Sequence, residues 1–126
     1  GVCGACNVMY GDNQIVRSCL VPAEKYDGET LTTAEGLVDE DGSLHPVQEE
    51  FLDHGAAQCG FCIPGMILSG VQLLRKNDDP TDEEVRKAIN GNLCRCTGYI
   101  QQVDAIQDAA ETMRAGDDSE TVQADD

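Results

Sequence analysis

Two short stretches decide the fold: Gln58-Cys59-Gly60-Phe61-Cys62-Ile63-Pro64-Gly65 and Gly91-Asn92-Leu93-Cys94-Arg95-Cys96-Thr97-Gly98-Tyr99. They place four of the seven cysteines in a C-x₂-C pair and a C-x-C pair, 31 residues apart. Such a thiolate tetrad is how proteins hold an iron–sulfur cluster or a structural zinc ion. Vicinal cysteines at these spacings rarely bridge each other without strain, and an odd cysteine count suits a metal site better than a secreted disulfide scaffold. The chemistry points to a reducing, cytoplasmic compartment. Glycines 4, 60, 91 and 98 beside the cysteines are expected to give the backbone the positive φ and close N–H approach that a compact anionic site requires.

The sequence around the pairs reads as helix. Pro64 suits the first turn of a helix carrying Ile67, Val71 and Leu74 on one face and ending near Asn77. Upstream, Ser43 is expected to cap a helix in which Val47, Phe51 and Leu52 share a face and Gly55 marks the stop. Thr81-Asp82-Glu83-Glu84 is a capping box for a third helix with Val85, Ala88 and Ile89 inward. A fourth begins near Ile100, with Val103, Ile106 and Ala110 in register. Helices this short bury little alone. A metal site built on the loops between them makes metal binding and folding one event.

Residues before about 40 read differently. Asn7–Tyr10, a turn at Gly11-Asp12-Asn13, and Gln14–Ser18 form a hairpin with alternating apolar positions. Leu31-Thr32-Thr33 is β-prone, and Ala34-Glu35-Gly36-Leu37 is a single helical turn. This segment carries the other three cysteines, Cys3, Cys6 and Cys19, one short of a tetrad.

The 126 residues carry a net charge of −16, with Asp+Glu 24 against Lys+Arg 8. That balance disfavours nucleic acid and anionic membrane surfaces as partners. An Asp excess with few lysines fits a surface adapted to high salt, where carboxylate repulsion is screened. No stretch approaches the roughly 18 apolar residues of a membrane span. Residues 115–126 are acidic and expected to form a disordered tail. His45 and His54 have no constellation of metal-ligating neighbours in the sequence, and Ser18, Ser43 and Ser69 have no base partner, so no catalytic residue is assigned. On spacing alone zinc and iron–sulfur both remain open; zinc ribbons, however, favour two C-x₂-C knuckles.

The wording of the two cysteine stretches resembles the iron–sulfur subunit of the molybdenum hydroxylases, the family of xanthine dehydrogenase, aldehyde oxidoreductase and aerobic carbon monoxide dehydrogenase. Cys3-Gly4-Ala5-Cys6, Ser18-Cys19-Leu20, Thr33-Ala34-Glu35-Gly36-Leu37 and Leu44-His45-Pro46-Val47-Gln48 match the same family in the same order. The resemblance covers about residues 1–112 and implies an α+β chain. Residues 1–40 would be the later part of a plant-type ferredoxin (β-grasp) domain, and residues 41–114 a four-helix [2Fe-2S]-binding domain.

The resemblance further implies two [2Fe-2S] clusters. Cys59, Cys62, Cys94 and Cys96 would hold one. Cys3, Cys6 and Cys19 would contribute to the other, whose remaining ligand is expected upstream of Gly1 in an N-terminally truncated chain. Gln58 and Cys96 match positions near the molybdopterin of a large subunit, and FAD would sit in a medium subunit. Phe61 and Tyr99, beside the cysteines, are expected to shield the cluster. The implied role is electron transfer from molybdenum through both clusters to FAD. The alternatives are a structural zinc interaction module and a free-standing ferredoxin.

Overall fold

The structure is a computed structural model that describes the backbone of residues 1–123 and the side chains of residues 1–116. Strand β1 (Asn7–Tyr10) is the centre of a three-stranded antiparallel sheet, flanked by β2 (Gln14–Arg17) and β3 (Leu31–Thr32). The hairpin register pairs Asn7 with Arg17 and Tyr10 with Gln14, as the alternation predicts. On β1 the alternation puts Asn7 and Met9 on the buried face. Tyr10 stacks at a tilt on Tyr26, with ring centroids 5.5 Å apart. Short 3-10 turns at Ala23–Tyr26 and Ala34–Leu37 complete the unit.

Four helices follow: α1 (Pro46–Asp53), α2 (Ile63–Lys76), α3 (Asp82–Ile89) and α4 (Tyr99–Gln123). The chain is thus α+β. Helix α2 is the structural axis, with Met66, Leu68 and Val71 fully buried. Each such side chain contributes about 1.5–3 kcal/mol of hydrophobic stabilisation relative to exposure. Val85, Val103 and Ile106 from α3 and α4, and Val47 and Phe51 from α1, close around it in one cluster that also takes in Met9 and Leu37 from the sheet unit.

Helix starts follow local chemistry with one shift. Thr81 caps α3 as expected: its Oγ1 accepts from the Glu84 N–H at 3.3 Å, and its own N–H donates to Glu84 at 2.7 Å. Helix α1 is capped by His45 and not by Ser43. His45 Nδ1 accepts from the Val47 N–H at 3.2 Å, and Gln48 Oε1 accepts from the His45 N–H at 2.9 Å. Ser43 is held two residues earlier by its own turn, with its hydroxyl on Asp41 at 2.6 Å. Pro46, at the first helical position, sets the start. Leu52, expected on the buried face, is 68% exposed. The tail expected from residue 115 instead continues α4 to Gln123; residues 124–126 lie outside the described residues. Among the described residues no helix is long and apolar enough to cross a membrane.

The sheet unit and the helices meet through polar contacts as well as apolar ones. The buried Asn7 amide donates to Asn92 Oδ1 at 3.0 Å and Ser69 Oγ at 3.4 Å, and Asn92 donates to the same hydroxyl at 2.9 Å. The backbones approach closely here. A Cβ on Gly65 would lie 2.3 Å from the Gly4 carbonyl oxygen, and one on Gly4, whose φ is +76°, would lie 2.6 Å from that of Gly91. Only glycine fits at both positions.

Candidate metal centre

The loops before α2 and α4 converge on a cavity of about 320 Å³, lined by Cys59, Phe61, Cys62, Cys94, Arg95 and Tyr99 with Cys3 and Leu93. Three of the four tetrad thiols therefore face one space. Cys62 and Cys94, from different loops, are in direct hydrogen-bond contact. Burial pushes the Cys62 thiol up to about 11, and its contact with Cys94 adds to this. Burial also opposes ionisation of Cys94. The Gly98 N–H, 3.3 Å from its sulfur, and the Cys62 thiol outweigh that and hold Cys94 below its ordinary value.

Cys96 does not line the cavity; its carbonyl accepts from Gln58 Nε2 at 3.1 Å. That bond ties the two cysteine loops together and positions Gln58. Tyr99 is half-buried against the core, and its hydroxyl accepts from the Cys94 N–H at 2.7 Å. Phe61 borders the cavity, as expected of a residue beside Cys62, but is itself 74% exposed. Of the glycines, Gly4 and Gly60 do take positive φ, whereas Gly91 and Gly98 do not; Thr97, with φ of 61°, turns the second loop instead.

The spacing of the donors bears on the metal. A single zinc holds each thiolate at about 2.3 Å, which would gather all four sulfurs within about 3.8 Å of one another. Among the described residues no three thiols lie within 4.8 Å of one another. The direct contact between Cys62 and Cys94 joins one cysteine of each loop, and a two-iron cluster is held by four such thiolates. The donor chemistry, all thiol with N–H groups aimed at sulfur, fits the same group.

The N-terminal cysteines are arranged otherwise. Cys6 and Cys19 are brought together, and the Cys19 N–H donated to the Cys6 sulfur holds that thiol below its ordinary value. Cys3 stands at the rim of the other cavity, and its carbonyl accepts from the Leu93 N–H at 2.9 Å. His54, expected to lack acidic partners, meets Asp108 at 2.7 Å and Glu50 at 3.6 Å and links α1 to α4. The sequence reading also passed over Gln102, a fully buried amide that reaches Cys62 Sγ at 3.6 Å. Its signal was a polar residue one position before Val103 on the apolar stripe of α4.

The family of the [2Fe-2S] binding domain matches residues 33–107, starting before the expected domain boundary at 41. The chain is 51% identical over 109 residues to the nicotine 6-hydroxylase small subunit of Paenarthrobacter nicotinovorans, covering 86% of this chain and 64% of that protein. It is 50% identical to the nicotinate dehydrogenase small FeS subunit of Eubacterium barkeri, covering 88% and 69%. The crystal structure of quinoline 2-oxidoreductase from Pseudomonas putida 86 superposes with a TM-score of 0.84 at 43% identity, over 92% of this chain and 72% of that one. The chain therefore belongs to the [2Fe-2S] binding domain family, in the form carried by the iron–sulfur small subunits of the molybdenum hydroxylases. It spans about two thirds of the length of the small subunits it matches.

Proposed function

We propose that this chain is the electron-transfer subunit of a molybdenum-dependent oxidoreductase, with no substrate site of its own. Cys59, Cys62, Cys94 and Cys96 would hold a [2Fe-2S] cluster, which supplies one-electron carriage when bound. The observation that carries this reading is the convergence of Cys59, Cys62 and Cys94, from two loops, on one cavity, with Cys62 and Cys94 in direct contact. The Gly98 N–H, 3.3 Å from the Cys94 sulfur, suits a negatively charged sulfur there. Arg95 at the cavity wall supports the same negative charge.

Cys3, Cys6 and Cys19 would contribute three ligands to a second [2Fe-2S] cluster in a ferredoxin-type unit formed by residues 1–40. The face around the first site suits a large subunit carrying molybdopterin: Phe61, Leu93 and Ile100 are 74%, 51% and 64% exposed beside the cysteine loops. Exposed apolar groups clustered at a redox site favour burial against a partner. Gln58 and Cys96 are the residues proposed to approach the pterin there. Electrons would pass from molybdenum by the helical site and then the ferredoxin site to FAD in a medium subunit, in the reducing environment of the cytoplasm.

Anaerobic expression with the partner subunits tests this. The helical site should contain about two irons and two acid-labile sulfides. Stoichiometric zinc with no acid-labile sulfide overturns it in favour of the structural zinc module.

A further inference from the structure

Gln102 is 0% exposed, on a helix whose other inward positions are Val103, Ala105, Ile106, Ala109 and Ala110. Its Oε1 has no hydrogen-bond partner. A buried amide oxygen left unpaired is destabilising, and an apolar side chain of the same size would avoid it. The other end of the amide is engaged: Nε2 donates to the Ala56 carbonyl at 3.4 Å and to Cys62 Sγ at 3.6 Å, a hydrogen-bonding distance for the larger sulfur atom. Both neighbours are acceptors, so the NH₂ must face them and the oxygen must face away. The orientation that leaves Oε1 unpartnered is the one that aims an N–H at the thiol of a tetrad cysteine.

We infer that Gln102 is a positioning residue that holds Cys62 and raises the reduction potential of the helical [2Fe-2S] site by donating an N–H···S hydrogen bond; this rests on the assignment of Cys62 as a ligand. Reduction adds negative charge that spreads onto the sulfurs. A fixed donor therefore stabilises the reduced form more than the oxidised form. The bond also spans 40 residues of chain, from the second loop's helix back to the first loop. Gln102 thereby restrains the ligand loop from behind while Ala56 fixes the amide's angle.

Gln102→Met preserves length and burial but removes the donor. In the assembled complex, EPR-monitored redox titration should show the helical cluster shifted to more negative potential. The expected change is a three- to tenfold fall in its reduction equilibrium constant, tenfold being about 59 mV for one electron. Thermal stability should change little, because the loss of the orphan oxygen is offset by the Ala56 carbonyl losing its donor. The second cluster's potential should stay put as an internal control. An intact helical cluster at the wild-type potential overturns the inference, leaving Gln102 a structural residue. Absence of any cluster in the wild-type complex instead overturns the functional reading beneath it. If the variant fails to assemble, pulsed EPR on reduced Gln58→Ala protein labelled with side-chain ¹⁵N-glutamine decides: a ¹⁵N coupling to the cluster supports the bond, and its absence sinks it.

Discussion

The two cysteine regions are built on opposite plans. The helical pocket draws its thiols from loops that precede α2 and α4, so each ligand is anchored by a helix whose far side is in the core. Cys62 and Cys94 are buried, and backbone N–H, tyrosine hydroxyl and glutamine amide groups already surround them. The N-terminal cysteines lie on an irregular turn edged by a small sheet, and Cys3 and Cys19 are exposed. One site is a pocket with a buried half, Cys62 and Cys94, and an outer half, exposed Cys59 and half-buried Cys96; the other has no buried thiol. The difference teaches which site the fold depends on: ligands that join distant buried segments couple metal binding to stability, whereas ligands on an exposed loop do so only locally.

The sharpest break of that comparison comes from removing one thiolate in each region. Cys94→Ser should abolish the helical cluster, seen as loss of about two irons with its visible absorbance, and should also reduce helical circular dichroism. Cys19→Ser should leave helicity and the helical cluster intact. Equal loss of helicity in both variants would show that the regions fold as one unit.

A smaller effect is expected at the seam between them. Gly65→Ala forces a Cβ to within 2.3 Å of the Gly4 carbonyl, backbone against backbone. Overpacking of this kind costs typically about 1–3 kcal/mol. The melting temperature should fall, with the N-terminal loop displaced first; hydrogen exchange at Asn7 and Leu93 would report it. An unchanged melting temperature would mean the seam is softer than the packing indicates.

The smallest effect concerns pH. Burial, then the nearby Arg75 charge, holds His45 below its ordinary value of 6.5, and its Nδ1 must stay unprotonated to accept the Val47 N–H. The unfolded chain therefore binds a proton more readily than the folded one. Stability is full above about pH 6.5 and declines as pH falls below it, through the depressed folded value. His45→Asn keeps a capping side chain and removes the titration, so the difference between variant and wild-type urea midpoints should narrow on acidification from pH 7 to 5. Parallel curves would argue against a role for His45 protonation.

Local chemistry was largely legible. The Thr81 capping box, the hairpin from Asn7 to Arg17 and Pro64 in the first turn of α2 depend on residues within a few positions of each other, and all appear as read. Ser43 and His45 show where such reading slips. Both are plausible caps, and the choice turned on Gln48 reciprocating from inside the helix. Phe61 reads as a shield beside a cysteine; it does border the cavity, yet it stays 74% exposed. Gln102 was passed over because periodicity marks which positions are buried but not which buried polar atom meets which sulfur.

By itself the sequence determined most of the elements, the two cysteine pairs and the family, since spacing, caps and apolar period are written within short windows. Tertiary structure alone decided that Cys62 meets Cys94, that Asn7, Ser69 and Asn92 knit the two units, and that a buried amide from α4 faces the Cys62 sulfur. Those pairings join residues tens of positions apart. Their distances follow from how the helices pack, which no local pattern encodes.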